Sequence, residues 1–163
     1  MLDKNLLLVD IGGTNIRYAY SNIGDCSFVS ENKAELESLN DFDNLMSELL
    51  ANSVVKNIVF SVAGPRVNNS IKMTNRNFQI DADAIRKRFN LESCHLLNDW
   101  ESIGYSIKTF SENDFDDFKE GIPFNDNFLV IGPGTGLGAS VISGNNVVAV
   151  SYTHLTLPTI CSV

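Results

Sequence analysis

Apolar residues at the start of the chain follow first a strand period and then a helix period. Residues 6–9 form a short apolar run, residues 10–14 carry two glycines, and apolar side chains alternate with polar ones from residue 16 to residue 20. This pattern predicts strand, tight turn and strand, and residues 26–34 supply a third strand. A helix is predicted after Asp41, a candidate N-cap, because apolar residues recur there at helical spacing: Phe42, Leu45, Met46, Leu49 and Leu50.

Further along, strand patterns alternate with helix patterns. The predicted strands are residues 57–63, 70–74 and 94–97, and the predicted helices are residues 80–89 and 100–110. Gly64-Pro65 closes the first of these strands, and Asn98-Asp99 lies between the last strand and the last helix. Strands that alternate with helices predict an α/β fold.

A change in composition marks a candidate domain boundary. Residues 111–127 are acidic and rich in Asn, Asp, Pro and Gly, which is typical of an exposed connection. A strand at 128–131, a glycine loop at 132–138 and strands at 139–142 and 147–150 follow. We therefore expect a small α/β domain over residues 1–110 and the start of a larger domain over residues 111–149.

The last residues carry a different signature. Residues 150–159 resemble the forward translation of a transposase-type sequencing adapter, over ten successive codons. We interpret residues 150–163 as a non-native tail and exclude them from fold reasoning. On this interpretation the natural protein continues past Ala149 with residues of its own.

Composition narrows the classes of partner. The 163 residues are 44% hydrophobic, enough for one sizeable core, and carry a formal net charge of −8 with a pI of about 4.6. The electrostatic field of a chain with this negative charge repels polyanions, which disfavours nucleic acid and anionic membranes as partners. We find neither a signal peptide nor a membrane span and expect a cytoplasmic protein. Three cysteines without a C-x-x-C pair indicate reduced thiols rather than a disulfide framework or zinc site.

Two glycine-rich turns, residues 10–17 and 132–138, each join one strand to another. Glycine lets a backbone approach a phosphate without a Cβ in the way, so two such turns could hold one polyphosphate between them. A Walker-type loop is excluded because the chain has no Gly-Lys-Ser or Gly-Lys-Thr. A dinucleotide fingerprint fails because a strand, not a helix, follows Gly138. Either turn alone fits a simple hairpin equally well.

Polar residues at the ends of predicted strands are candidates for chemistry. Asp10 could hold Mg²⁺ directly or through water, or could only cap its turn. Asp99 could accept the proton of an attacking hydroxyl, or could be the N-cap of the next helix. Asn98 has a donor and an acceptor on one amide, which suits recognition of neighbouring sugar hydroxyls.

These residues resemble the bacterial glucokinase family, within the actin-like (ribonuclease H-like) sugar kinases. The resemblance covers residues 1–149 and is carried, in family order, by residues 10–17, by 63–65 with 73–75, by 96–99 and by 132–138. It implies an incomplete actin-like ATPase fold and transfer of the ATP γ-phosphoryl group to the 6-hydroxyl of glucose, with ATP and Mg²⁺ as cofactors. The implied general base is Asp99, and the implied sugar ligands are Asn98 and Asp99.

The resemblance also implies a nucleotide site. The implied phosphate-binding residues are Val9, Asp10, Ile11, Gly12, Gly13 and Thr14 in the first segment and Gly134, Thr135 and Gly136 in the second. The family's later Glu-x-Gly-Gly-His segment has no counterpart before Ala149. We therefore expect the 163-residue chain to bind ATP and glucose weakly and to show no turnover.

Two alternatives stay open at this point. A related kinase could act on fructose, mannose or an N-acetyl sugar, because hydroxyl selection depends on residues beyond this segment. The second alternative is a non-catalytic sugar-responsive regulator, although the first strand is expected to begin at Leu6 and to leave no room for an N-terminal DNA-binding module. The sequence does not give the oligomeric state, and a homodimer is open for the full-length protein.

Overall fold

The structure is a computed structural model of the chain and divides into two compact units, Met1–Asp99 and Trp100–Val163. The residues that it describes are 3–12, 15–35, 38–51, 54–73, 79–116, 118–119, 121–122, 125–133 and 137–152. The predicted domain boundary at residue 110 stays a prediction. Within the described residues, no helix is long and apolar enough to cross a membrane.

A five-stranded mixed sheet forms the centre of the first unit. In chain order its strands are β1 Leu6–Ile11, β2 Asn15–Ser21, β3 Val29–Glu35, β4 Asn57–Val62 and β8 Ser93–Asn98. They lie side by side in the order β3-β2-β1-β4-β8. The strands β1, β2 and β3 form an antiparallel meander, while β1, β4 and β8 are parallel. The predicted strand, glycine turn and strand are confirmed.

The hydrophobic core lies on one face of this sheet. Alternate residues of the three parallel strands stand in register and are buried there: Leu7, Val9 and Ile11, then Ile58, Phe60 and Val62, then Cys94 and Leu96. Burying each of the larger side chains contributes about 2 kcal/mol. The helix α1, Leu39–Ala51, covers this face, and its Phe42 ring lies 6.0 Å from the ring of Phe60.

The start of α1 differs from the sequence prediction. Asp41 lies in the first turn, and the N-cap is Ser38, whose Oγ accepts from the Asp41 backbone N–H at 3.2 Å. The Ser38 backbone N–H and hydroxyl both donate back to Asp41 Oδ2, at 2.8 and 2.7 Å. This reciprocal arrangement is a capping box, in which two side chains satisfy the unpaired donors of a helix start.

A small antiparallel sheet and a second helix complete the first unit. The sheet consists of β5 Arg66–Val67, β6 Ser70–Lys72 and β7 Gln79–Asp81. The helix α2, Ala82–Arg88, begins later than predicted because residues 79–81 pair with β6 as a strand. Asp81 then caps α2 by accepting from the Ala84 backbone N–H at 2.9 Å.

The second unit contains a three-stranded antiparallel sheet. The helix α3, Asp99–Ser106, leads into it and is followed by two short 3₁₀ segments, 107–109 and 112–114. The strands are β9 Asn127–Pro133, β10 Leu137–Ser143 and β11 Asn146–Tyr152, joined as consecutive hairpins. Strand β11 continues into the predicted tail as far as Tyr152, and residues 153–163 lie outside the described residues.

Candidate active site

The carboxyl ends of the three parallel strands meet at one edge of the large sheet. Ile11, Val62 and Asn98 stand side by side in the last register row of β1, β4 and β8. The residues that follow each strand, among them Gly12, Gly64 and Asp99, therefore emerge at the same edge. Ligands of open α/β sheets bind at such edges.

Asp10 lies one row before this edge, on the face opposite the core. In its row it stands between Arg17 of β2 and Ser61 of β4. Ser61 Oγ donates to Asp10 Oδ1 at 3.1 Å, and Arg17 Nη1 lies 3.8 Å from Asp10 Oδ2. Both side chains of the ion pair are about half exposed, so the pair itself contributes little to stability. The arrangement fixes one carboxylate oxygen through Ser61 and places the other beside the Arg17 guanidinium.

The predicted phosphate-binding residues of the first segment divide into two groups. The side chains of Val9 and Ile11 are buried in the core, and both residues stand in register with neighbouring strands on either side. Gly12 uses its backbone N–H to close the turn, donating to the Asn15 carbonyl at 3.0 Å. Among the described residues of this segment, Asp10 is therefore the one whose side chain can contact a ligand. Gly13 and Thr14 lie outside the described residues.

Asn98 is held by a contact that the sequence did not reveal. Its side chain is only 6% exposed, and its Nδ2 donates to the Gly64 carbonyl at 2.8 Å. Gly64 has φ of +153°, and a Cβ there would lie 2.7 Å from the Lys72 carbonyl oxygen. The Ala-Gly-Pro turn is therefore built around glycine and is tied to the end of β8 through the Asn98 amide.

Asp99 is the first residue of α3 and directly follows the last residue of β8. It is partly buried, as is Trp100 after it. A carboxylate in the first turn of a helix interacts favourably with the partial positive charge of the helix N-terminus. The two predicted sugar ligands, Asn98 and Asp99, are thus adjacent at the carboxyl edge of the sheet.

The second glycine segment forms the connection of the β9–β10 hairpin. Gly132 and Gly138 are direct partners across the two strands, and Pro133 and Leu137 form the last pair before the connection. The predicted phosphate contacts Gly134, Thr135 and Gly136 lie outside the described residues.

Other candidate chemistry is absent from the described part of the chain. No group of three or more His, Cys, Asp or Glu side chains is placed there to hold a metal ion. Burial raises the pKa of the Cys94 thiol to about 12, so this cysteine stays protonated and is inert at neutral pH.

Comparison with known proteins is consistent with this arrangement. The sequence model of the glucokinase family matches residues 7–154. A glucokinase of Campylobacter jejuni subsp. doylei is 31% identical over 147 residues, which are 82% of this chain and 41% of that protein. A glucokinase of Helicobacter pylori is 30% identical over 148 residues, 86% of this chain and 44% of that protein. The chain thus spans about two fifths of the length of the curated relatives it matches.

Solved structures share the fold. A glucokinase from an Antarctic psychrotroph superposes with a TM-score of 0.72 at 24% identity, over 94% of this chain and 51% of that one. A glucokinase from Balamuthia mandrillaris in complex with glucose gives a TM-score of 0.73 at 20% identity, over 93% of this chain and 49% of that one. The predicted actin-like sugar-kinase fold is confirmed, and the chain belongs to the glucokinase family.

Proposed function

We propose that the full-length protein to which this segment belongs transfers the γ-phosphoryl group of ATP to the 6-hydroxyl of glucose. The observation that carries the proposal is the placement of Asp10 and Asp99 at one carboxyl edge of the sheet, in a chain of the glucokinase family. Strands β1 and β8 are separated by β4 alone, so two inter-strand spacings put roughly 10 Å between them. At that separation, Asp10 could contact a phosphoryl group beyond the strand ends while Asp99 contacts the hydroxyl that attacks it.

In this proposal Asp99 is the general base. The sugar hydroxyl attacks the γ-phosphorus, and the Asp99 carboxylate accepts the hydroxyl proton as the new phosphorus–oxygen bond forms. The bond between the γ-phosphorus and the bridging oxygen breaks, and ADP leaves with the electron pair. Asn98 orients the sugar, and the hydrogen bond from its Nδ2 to the Gly64 carbonyl holds the side chain at the end of β8.

The surroundings of Asp10 fit a magnesium ion. Mg²⁺ is commonly held by one or two carboxylates together with substrate phosphates, so a single half-exposed carboxylate is a sufficient protein ligand. A magnesium ion held by Asp10 would neutralise negative charge that develops on the phosphate oxygens during the transfer. The Ser61 hydroxyl holds one oxygen of the Asp10 carboxylate in place.

A sugar panel tests the proposal. The reading frame of the source gene is extended past residue 149, the whole product is expressed, and ATP-dependent phosphorylation of glucose, fructose, mannose and N-acetylglucosamine is measured. We expect kcat/KM for glucose to exceed that for each other sugar by at least about tenfold, because a hydroxyl-binding site rejects sugars that lack the matching hydroxyl. A clear preference for another sugar, or no turnover with any, would overturn the assignment.

The 163-residue chain serves as the control in the same assay. It spans about two fifths of its curated relatives and contains no Glu-x-Gly-Gly-His segment. We expect it to show no sugar phosphorylation above background.

A further inference from the structure

The two faces of the β9–β10–β11 sheet differ in how they are covered. On one face the helix α3 packs, with the Trp100 indole against Gly132 and Gly138 and with Gly104 against Ser140, whose side chain is fully buried. The other face, which we call the open face, carries large apolar side chains that are 62%, 53%, 40% and 60% exposed: Leu129 and Ile131 of β9, Val141 of β10 and Val148 of β11.

The exposed side chains form one contiguous patch. Val141 pairs directly with Leu129 on one side and with Val148 on the other, so these three side chains make a row across the sheet. Ile131 and Ala139 are partners in the next row of the same face. Cross-strand partners lie about 5 Å apart, so the apolar side chains adjoin one another. Contiguous apolar patches of several hundred Å² mark association surfaces.

The equivalent positions of the first unit belong to its core. In both units the first two strands of an antiparallel meander are joined by a three-residue connection. Counting back from that connection, the core residues Leu7 and Val9 of β1 correspond to Leu129 and Ile131 of β9. Leu7 and Val9 are 0% and 2% exposed. The open face therefore corresponds, position by position, to a face that is buried in the first unit.

The open face also lies in a part of the chain that carries no charge. None of residues 127–163 is Asp, Glu, Lys or Arg, so residues 1–126 carry the whole formal charge of −8. Two copies that approach through this sheet therefore bring no like charges into contact. A flat, uncharged, apolar sheet face is complementary to another such face, because sheets pack face to face about 10 Å apart. A two-fold arrangement presents the same patch of each copy to the other.

We propose that two copies of the 163-residue chain associate through their open faces. Three strands of seven residues give the open face a footprint of roughly 14 by 23 Å. A standard stable interface is larger and buries roughly 800 Å² per partner, so the dimer is weak and reversible, with a Kd on the order of 10–100 µM. The inference concerns a surface that the proposed phosphoryl transfer does not use, and it stands independently of that function.

Sedimentation velocity of the 163-residue chain at concentrations from about 5 to about 500 µM tests the inference. Leu129→Glu places a carboxylate of each copy in the contact, and it should raise the Kd at least about tenfold because like charges then oppose each other. Val67→Glu is the matched control, since it makes the same change at an apolar residue of β5 that is 67% exposed. It should leave the Kd within about twofold of that of the unsubstituted chain.

A second variant tests the contact without adding charge. Val148→Thr keeps the β-branched shape of the side chain but replaces a methyl group with a hydroxyl, so it should raise the Kd about threefold or more. It also carries the test if far-UV circular dichroism shows that Leu129→Glu does not fold. Raising the NaCl concentration from about 50 to about 500 mM screens the repulsion between the acidic copies, so the Kd should stay constant or fall.

The results that overturn the inference are distinct from those that support it. A chain that sediments as a monomer up to the highest concentration has no such dimer. Equal effects of Leu129→Glu and Val67→Glu, or an unchanged Kd in folded Val148→Thr protein, would place the contact elsewhere on the chain. A Kd that rises with salt would mean that ion pairs hold the copies together. A reversible dimer that Leu129→Glu weakens selectively supports the inference.

Discussion

Replacing Asn98 with aspartate removes the donor that satisfies the Gly64 carbonyl and puts a carboxylate oxygen in its place. The two atoms concerned are 2.8 Å apart, and the Asn98 side chain is 6% exposed, so solvent cannot substitute for the lost donor. Leaving a buried carbonyl unpaired costs about 1–3 kcal/mol, and the repulsion between two acceptors adds to this. We expect Asn98→Asp to lower the free energy of unfolding at pH 8 by about 3 kcal/mol.

The sign of the pH dependence makes this prediction specific. A carboxyl group at position 98 is favoured in its protonated form, because only that form can donate to the Gly64 carbonyl. Its folded-state affinity for a proton is therefore raised, and the stability of the variant is highest at low pH and falls as the pH rises. The loss relative to the unsubstituted chain should be larger at pH 8 than at pH 5.

Urea unfolding followed by far-UV circular dichroism measures both effects. Asn32→Asp is the matched control, since Asn32 Nδ2 also donates to a backbone carbonyl, that of Ser30 at 2.7 Å, but lies exposed on β3. The control should change the free energy of unfolding by less than about 0.5 kcal/mol. Equal stability of Asn98→Asp and the unsubstituted chain, or a loss that shrinks with rising pH, would refute the reasoning.

Three further predictions concern local features of the first unit. Gly64→Ala should lower the free energy of unfolding by about 3 kcal/mol through atomic overlap and backbone strain. Gly24→Ala, with φ of +83° and open space around its Cβ, should lower it by about 1 kcal/mol. Equal losses of the two variants in urea unfolding would contradict this. Cys94, whose pKa burial raises to about 12, should resist a thiol reagent at pH 8 while exposed Cys26 reacts, and peptide mass spectrometry showing equal modification would be evidence against it. Asp81→Ala should cost about 1 kcal/mol at pH 7 through loss of the α2 cap. A backbone hydrogen bond lowers the pKa of Asp81, so its contribution is present above pH 4 and lost as the pH falls; an undiminished difference at pH 2 would disprove it.

Most elements of the fold can be predicted from local sequence patterns. The alternation in β1 and β2, the apolar run of β4 and the turn-forming glycines are visible within a few residues of sequence. The placement of Asn98 and Asp99 at a strand end could be predicted for the same reason. The first residues of the helices are predicted less accurately, because several neighbouring polar residues could act as the N-cap. Only the hydrogen bonds identify Ser38 and Asp81 as the caps.

The contacts that shape the site could not be predicted, because they join residues far apart in sequence. Ser61 reaches Asp10 across β4 and β1, and Asn98 reaches the turn after β4. Both contacts depend on strand register, which one sequence does not show. The packing of the Trp100 indole against Gly132 and Gly138 could not be predicted either. The sequence pattern indicates a phosphate loop for these two glycines, and their packing role follows only from the pairing of β9 with β10.

The most direct test of the central claim compares the full-length protein with its Asp99→Asn variant in ATP-dependent formation of glucose 6-phosphate. Asp126→Asn, at an exposed position to which the proposal assigns no role, is the control for the same chemical change. A general base contributes about 10²- to 10⁴-fold to the rate, so the account predicts a fall in kcat of that size for Asp99→Asn and none for the control. Glucose phosphorylation by Asp99→Asn at the unsubstituted rate would contradict it.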